Sequence, residues 1–450
     1  MPPDTIVSLK KRMMRISKIE FYIRRNILKL PQHTLLILIC ILIGIVAGVS
    51  AFLLKSVFHY IHYLIHVSEN VSVSNTLLVV LPITGLLLTV GYVSIFHKHG
   101  LKKGISQILY SIKHNSSYIE RNQTYGHIIS SSLTIGFGGS AGFEAPIVAT
   151  GSNIGRYFKF VDHDRALLLA SGAAAGISAI FNAPIAGVLF AIEVLLPQVF
   201  VSAFIPLLLS SASAAIVSGI LYKDQLFVLI TSGWKLNALP IYIVLGILAG
   251  LYSVFIIRQT IFIERLVKKI KNKWLRAILG GMVLSVIILV FPSLYGEGYF
   301  TIQSILNSEK LTLVNFDLFS FNSSNVLFIT VIAVLFIKTF ATSITISSGG
   351  NGGIFAPSLF MGGLLGFLIA AGLNALGLTN LNIINFTVVG MAGVLSGVIK
   401  IPLTSVFLIA EITGGYVLFV PLMIVSAISY FISSYFENKS IYSKELEMRS

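Results

Sequence analysis

The chain has 450 residues, 55% hydrophobic and only 11% charged, with a mean hydropathy of +0.89. Soluble domains run near 25% charged, so the composition excludes a soluble globular protein and predicts a polytopic membrane protein. A single cysteine, Cys40, excludes a disulfide framework and a cysteine metal site. The formal charge of +15 sits in short connectors, which sets membrane topology and argues against a nucleic-acid surface.

In chain order, residues 1–33 form a basic segment with Lys10, Lys11, Arg12, Arg15, Lys18, Arg24, Arg25 and Lys29. Positive-inside bias places it in the cytoplasm, with an interfacial helix around Ile19–Leu30. It is too long, and the apolar run after it too uninterrupted, for a cleaved signal peptide. Leu35–Val57 predicts a spanning helix whose small residues Gly44, Ala47, Gly48 and Ala51 suit close packing in lipid. His59, His62 and His66 follow at helical spacing. With no carboxylate or Cys arranged beside them, they read as a helix emerging at the interface rather than a metal triad. Leu77–Phe96 predicts a second span, and a polar stretch with one short amphipathic piece follows it.

Ile128–Phe137 then leads into GFGGSAGFEAPIVATGSNIG, Gly136 to Gly155. Its carboxylate, Glu144, lies between apolar flanks. A charged carboxylate at membrane depth costs roughly 2.5–3.5 kcal/mol, which makes such a residue a functional candidate. The glycines let the chain turn, and a helix restarts at Ala145-Pro146, with proline in the first turn where no N–H is needed. A helix start inside a membrane offers free N–H groups and the positive dipole end to an anion. Ile147–Phe160 continues that helix. The next segment holds two short helices broken at Asn182–Pro184, each below the roughly 20 residues a span needs. Ala203–Tyr222 spans, and Asp224–Asn237 connects.

The pattern then returns. Pro146 and Pro357 lie 211 residues apart, and at that offset Thr134 meets Thr345, Gly138 meets Gly349, Gly142 meets Gly353 and Gly151 meets Gly362. Gly44 and Gly48 reappear as Gly246 and Gly250 at offset 202, and Asn182 to Glu193 reappears as Lys400 to Glu411 at offset 218. The first helix of copy one starts beside basic residues, whereas that of copy two ends beside Lys268, Lys269, Lys271, Lys273 and Arg276. Copy two is therefore inverted. The expected fold is an all-α polytopic membrane protein built as an inverted-topology repeat of spanning and broken half-helices. Its domains are the basic segment 1–33, repeat 1 over 34–230 and repeat 2 over 231–450, with no C-terminal regulatory domain. Such repeats place their site at the midplane between the halves.

On these motifs the chain resembles the CLC family of chloride channels and proton/chloride antiporters, over about Leu35 to Tyr442. The family's Gly-Lys/Arg-Glu-Gly-Pro motif reads Gly142-Phe143-Glu144-Ala145-Pro146. Its Gly-x-Phe-x-Pro motif stands intact from Gly353 to Pro357, its Asn-Ala-Pro-x-Ala-Gly segment runs from Asn182 to Gly187, and its pore tyrosine is matched by Tyr442. The resemblance implies Glu144 as a gate that occupies an anion site and swings away on protonation. It implies anion binding by Phe143, Glu144 and Ala145 at one helix start, by the N–H groups of Ile354 and Phe355 at the other, and by the Tyr442 hydroxyl. It also implies a homodimer with one pore per subunit, with chloride as the transported ion, no cofactor and no enzymatic activity. The expected compartment is a cell membrane, prokaryotic on the shortness of the termini, with both termini cytoplasmic.

Three departures matter. Lys103 falls where the family's anion-coordinating serine stands. It either attracts anions to the inner mouth or points, solvated, into the cytoplasm. Phe143 replaces a basic residue. Val194 occupies the position of the antiporters' internal proton glutamate, so the reading leans to passive conduction, with proton-coupled antiport and fluoride or nitrate preference as alternatives. Glu193, beside it, reads as structural. The remote alternative from another class is an intramembrane serine hydrolase, because Gly138 to Gly142 matches Gly-x-Ser-x-Gly around Ser140. A glycine hinge explains that match more simply.

Overall fold

The computed structural model describes residues 31–66, 75–97, 100–101, 104–113, 123–158, 165–196, 201–222, 233–306, 313 and 324–447. The expected interfacial helix around Ile19–Leu30 and Lys103 lie outside them, as do the side chains of His62 and His66. The first repeat comprises α1 (Gln32–His66), α2 (Asn75–Phe96), α3 (Ile105–Lys113), α4 (Gln123–Gly136), α5 (Glu144–Arg156), α6 (Arg165–Phe181), α7 (Pro184–Phe190) and α8 (Val201–Leu221). The second comprises α9 (Leu239–Lys268), α10 (Lys273–Val290), α11 (Tyr299–Leu306), α12 (Ser324–Ser347), α13 (Phe355–Ala375), α14 (Ile383–Ile399), α15 (Pro402–Ile412), α16 (Phe419–Phe436) and α17 (Ile441–Glu447). Eight helices among the described residues are long and apolar enough to cross a membrane. The protein is an all-α, multi-pass membrane protein.

Boundaries differ from the sequence reading where polar ends extend an apolar run. The first span reaches His66 because Phe58, beyond the apolar stretch, packs edge-on against Phe143 with ring centroids 5.1 Å apart. Both restarted helices begin one residue before Ala-Pro, at Glu144 and Phe355, so each proline takes the third helical position.

The repeat offsets become contacts. Gly142 and Gly353 form an isolated antiparallel bridge, each N–H donating to the other's carbonyl at 2.9 and 2.8 Å. On either side, Asn351 N–H donates to Thr134 Oγ1 and Ser140 N–H to Thr345 Oγ1, at 2.9 and 3.1 Å. These are equivalent residues of the two copies, so the glycine loops meet across a pseudo-two-fold axis. Close packing obeys the same symmetry. A Cβ on Gly151 would lie 2.0 Å from the Gly172 carbonyl oxygen, and one on Gly362 would lie 2.3 Å from that of Gly390. Only glycine permits that approach of α5 to α6 and of α13 to α14.

The half-helices break where the repeat placed the breaks. Asn182 and Lys400, at equivalent positions, both take left-handed backbone conformations with φ of 55° and 68°. Asparagine tolerates that region and lysine rarely does, and the Lys400 ammonium is anchored to Ser433 Oγ at 2.7 Å. The helix starts beyond the breaks are capped across the axis. Glu411 accepts the N–H groups of Ile185 and Ala186 at 2.9 and 2.8 Å, and Glu193 accepts those of Leu403 and Thr404 at 3.0 and 2.7 Å. Each glutamate satisfies orphan donors of the other copy's half-helix.

Candidate functional site

The starts of α5 and α13 converge at the Gly142–Gly353 bridge. Their N-cap residues, Phe143 and Ile354, have helical backbone angles and supply no side-chain cap. First-turn N–H groups therefore remain for another acceptor, and the dipole ends add positive potential. Phe143, Ala145, Ile354 and Phe355 are all buried, so these donors work away from bulk water. The Phe355 ring packs against Phe181 and Phe190, which fixes the α13 start against the break after α6.

Glu144 is 1% exposed. Its Oε1 accepts a 2.9 Å hydrogen bond from the Tyr299 hydroxyl. Its Oε2 has no hydrogen-bond partner and lies over Gly142, beside the backbone of Ala356. A Cβ added to Gly142 would sit 2.1 Å from Oε2 and 3.1 Å from the Ala356 nitrogen, so any larger residue there would evict the carboxylate. The amides of Ala356 and of Glu144 itself both stabilise its charge. The Glu144 carboxylate is thus held, buried, at the point where the two helix starts converge.

Tyr442, in α17, is 3% exposed and its hydroxyl has no hydrogen-bond partner. It lies within electrostatic reach of both Glu144 and Glu445. Glu445, one turn further along α17, accepts from Ser106 Oγ at 3.3 Å at the start of α3. Tyr442 and Glu445 thus lie on one face of α17, toward Glu144 and the start of α3. Val194 sits in a π-helical turn, Ala191–Leu195, that extends α7, half-buried against the core. Glu193 is engaged by α15, as described above. Ser140 is buried and its hydroxyl has no hydrogen-bond partner, so no base activates it.

The structure adds residues that the motifs did not reveal. The segment 293–299 forms a strap across the start of α5. Tyr295 donates its hydroxyl to the Gly136 carbonyl at 2.6 Å, Glu297 Oε1 accepts the Phe143 N–H at 3.0 Å, and Tyr299 holds Glu144. Lys338, fully buried in α12, donates to the carbonyls of Gly296 and Leu294 at 2.9 and 3.4 Å. Lys55 of α1 lies over the Tyr222 ring, 4.8 Å from its centroid. Lys55 and Lys338 were the available signals, since each is an ionisable residue inside an apolar run.

A family profile described as "Voltage gated chloride channel" matches residues 85–434. The chain belongs to this family, the CLC proteins. It is 30% identical over 374 residues to a putative chloride channel protein ClcB-like of Ralstonia nicotianae, covering 78% of this chain and 81% of that protein. It is 32% identical over 338 residues to the H(+)/Cl(-) exchange transporter ClcA of Klebsiella pneumoniae, covering 70% and 66%. Among solved structures, a slow cyanobacterial Cl-/H+ antiporter superposes with a TM-score of 0.78 at 23% identity, over 94% of this chain and 99% of the other. A CLC-type fluoride/proton antiporter superposes with 0.75 at 22% identity, over 91% and 97%. These likenesses establish the CLC fold. The residue-level chemistry of this CLC protein rests on the geometry above.

Proposed function

We propose that this CLC protein moves chloride across a cell membrane through a pore gated by Glu144, and that conduction is passive. The observation that carries the gate is the buried Glu144 carboxylate, lying among the Ala356 amide, its own amide and the Tyr299 hydroxyl. A carboxylate that fills an anion site blocks it, and neutralising or moving the carboxylate opens it. Helix-start amides and the neutral Tyr442 hydroxyl suit conduction, since they bind an anion without trapping it.

Passive movement follows from the other end of the path. Val194 carries no proton, and the adjacent Glu193 is committed to capping α15 through Leu403 and Thr404. Proton-coupled exchange is the second reading, supported by the exchange activity in the ClcA relative's name and by the unpartnered Oε2 of Glu144. Fluoride or nitrate could replace chloride as the transported ion. No cofactor enters this scheme. We further propose a homodimer, with the basic ends of α1 and α9 in the cytoplasm.

Reconstitution in liposomes under a chloride gradient and clamped voltage decides between the readings. Passive conduction predicts chloride movement with no stoichiometric proton counterflow. Uphill proton movement driven by chloride would establish exchange instead, and a potassium-selective flux would overturn both.

A further inference from the structure

Glu297 is a second carboxylate at the anion path. Its Oε1 takes the N–H of Phe143, the residue that opens α5, at 3.0 Å. That amide is one of the donors a helix start offers to an anion. Glu297 and Glu144 therefore fill adjacent positions of one donor set, close enough to repel each other.

The cations around Glu297 come from both repeats. Lys55 of α1 and Lys338 of α12 each lie within electrostatic reach of its carboxylate. Lys338 is 0% exposed, donates to two strap carbonyls and covers the Phe360 ring, 5.1 Å from its centroid. The Lys338 ammonium is met by the carbonyls of Leu294 and Gly296 and by the nearby Glu297 carboxylate, the kind of compensation a buried cation requires.

The strap does not need Glu297 to hold it. Tyr295 is tied to Gly136, Lys338 to Gly296 and Leu294, and Ser293 to Leu313 at 3.1 Å. Glu297 stands between Gly296 and Gly298, both at positive φ, 63° and 94°. Those glycines turn its side chain down onto the Phe143 amide from a strap that is otherwise anchored. Its side of Glu144 follows from chain direction. α10 runs away from the basic connector at Lys273 and the strap follows its far end, while Lys55 lies in the far half of α1.

We propose that Glu297 is a second gating carboxylate, filling an outer anion site made by the Phe143 amide. The proposal rests on the reading of Glu144 as the gate of an anion path. An anion arriving from the strap side displaces Glu297 from Phe143 first and Glu144 from the α13 start second.

The test is bromide anomalous diffraction on crystals of the full chain, with calorimetric chloride binding, for Glu297→Ala and Glu144→Ala. Glu297→Ala is expected to gain a bromide at the Phe143 amide and to bind chloride about tenfold more tightly, the change that losing one charge-assisted competitor corresponds to. Glu144→Ala is expected to gain its bromide beside the Ala356 amide. A folded Glu297→Ala protein with no halide at Phe143, while Glu144→Ala gains its own, overturns the second gate and leaves the first. If neither variant gains a halide, the anion path falls and both gates with it. Should Glu297→Ala not fold, Glu297→Gln keeps the side-chain volume and one acceptor oxygen. Faster chloride entry into liposomes from the strap side is then expected, and unchanged entry overturns the proposal.

Discussion

Replacing Tyr299 by Phe removes one oxygen and leaves the ring. The lost contact is the 2.9 Å bond from the Tyr299 hydroxyl to Glu144 Oε1, with both residues buried. Hydrogen bonds to a charged group contribute about 1.5–3 kcal/mol. Because Glu144 Oε2 has no hydrogen-bond partner, no second side-chain bond offsets the loss. The docked carboxylate is then disfavoured by about 10- to 150-fold relative to released states. Chloride competes with that docked state for the same amides, so its apparent affinity rises by up to the same factor. Calorimetric titration with chloride measures the change directly. The double variant with Glu144→Ala provides the control. With no carboxylate to hold, Tyr299→Phe should then alter affinity by less than about twofold, the ordinary limit for uncoupled sites. Weaker chloride binding in Tyr299→Phe, or an equal change in both backgrounds, would refute the reasoning, because the hydroxyl would then act on the anion or on the fold.

Glu144→Gln should give chloride flux that no longer responds to external pH, since a neutral side chain neither competes as an anion nor is released by a proton; a retained wild-type pH response would remove Glu144 from the gate. Tyr442→Ala should weaken anion binding by about 2- to 12-fold while transport persists, the worth of one neutral donor at about 0.5–1.5 kcal/mol; unchanged calorimetric affinity would place the hydroxyl outside the anion path. Glu193→Gln and Glu411→Gln should each lower the melting temperature in detergent by similar amounts and leave chloride affinity unchanged, because each removes the same kind of cap from an equivalent helix. A proton-coupling change in Glu193→Gln alone would instead show that the cap also carries protons.

Most of the architecture was legible because it is repeated. The offset of 211 residues between Gly142 and Gly353 is a hydrogen-bonded bridge in the fold, and the offset of 218 pairs Glu193 with Glu411 as reciprocal caps. A glycine that must be glycine leaves a mark in one sequence, and a matching mark in a second copy removes chance as the explanation. The strap left no such mark. Tyr295, Glu297 and Tyr299 reach the site through long-range contacts, 154 residues in the case of Glu297 and Phe143. No local pattern encodes which helix start a connecting loop will cross. Val194 shows the opposite limit. Its identity was readable, but the commitment of Glu193 to α15 depended on a contact across the axis.

The symmetry also shows where function departs from structure. At the offset of 211, Phe143 corresponds to Ile354 and Glu144 to Phe355. Both helix starts supply buried amides, yet only one carries a carboxylate, while the other carries a phenyl ring packed on Phe181 and Phe190. Two equivalent carboxylates at one bridge would repel each other and close the path from both sides. One carboxylate leaves the α13 amides facing a group that can move. At the offset of 218, Val194 corresponds to Ile412, and neither can carry a proton. Among the described residues, the carboxylate asymmetry at the helix starts lies at Glu144 and, through the strap, at Glu297. A voltage-clamped proton measurement on Glu297→Gln therefore complements the one on Glu193→Gln: loss of coupling in the first would place the proton on the strap side, and loss in the second would place it at the α15 cap.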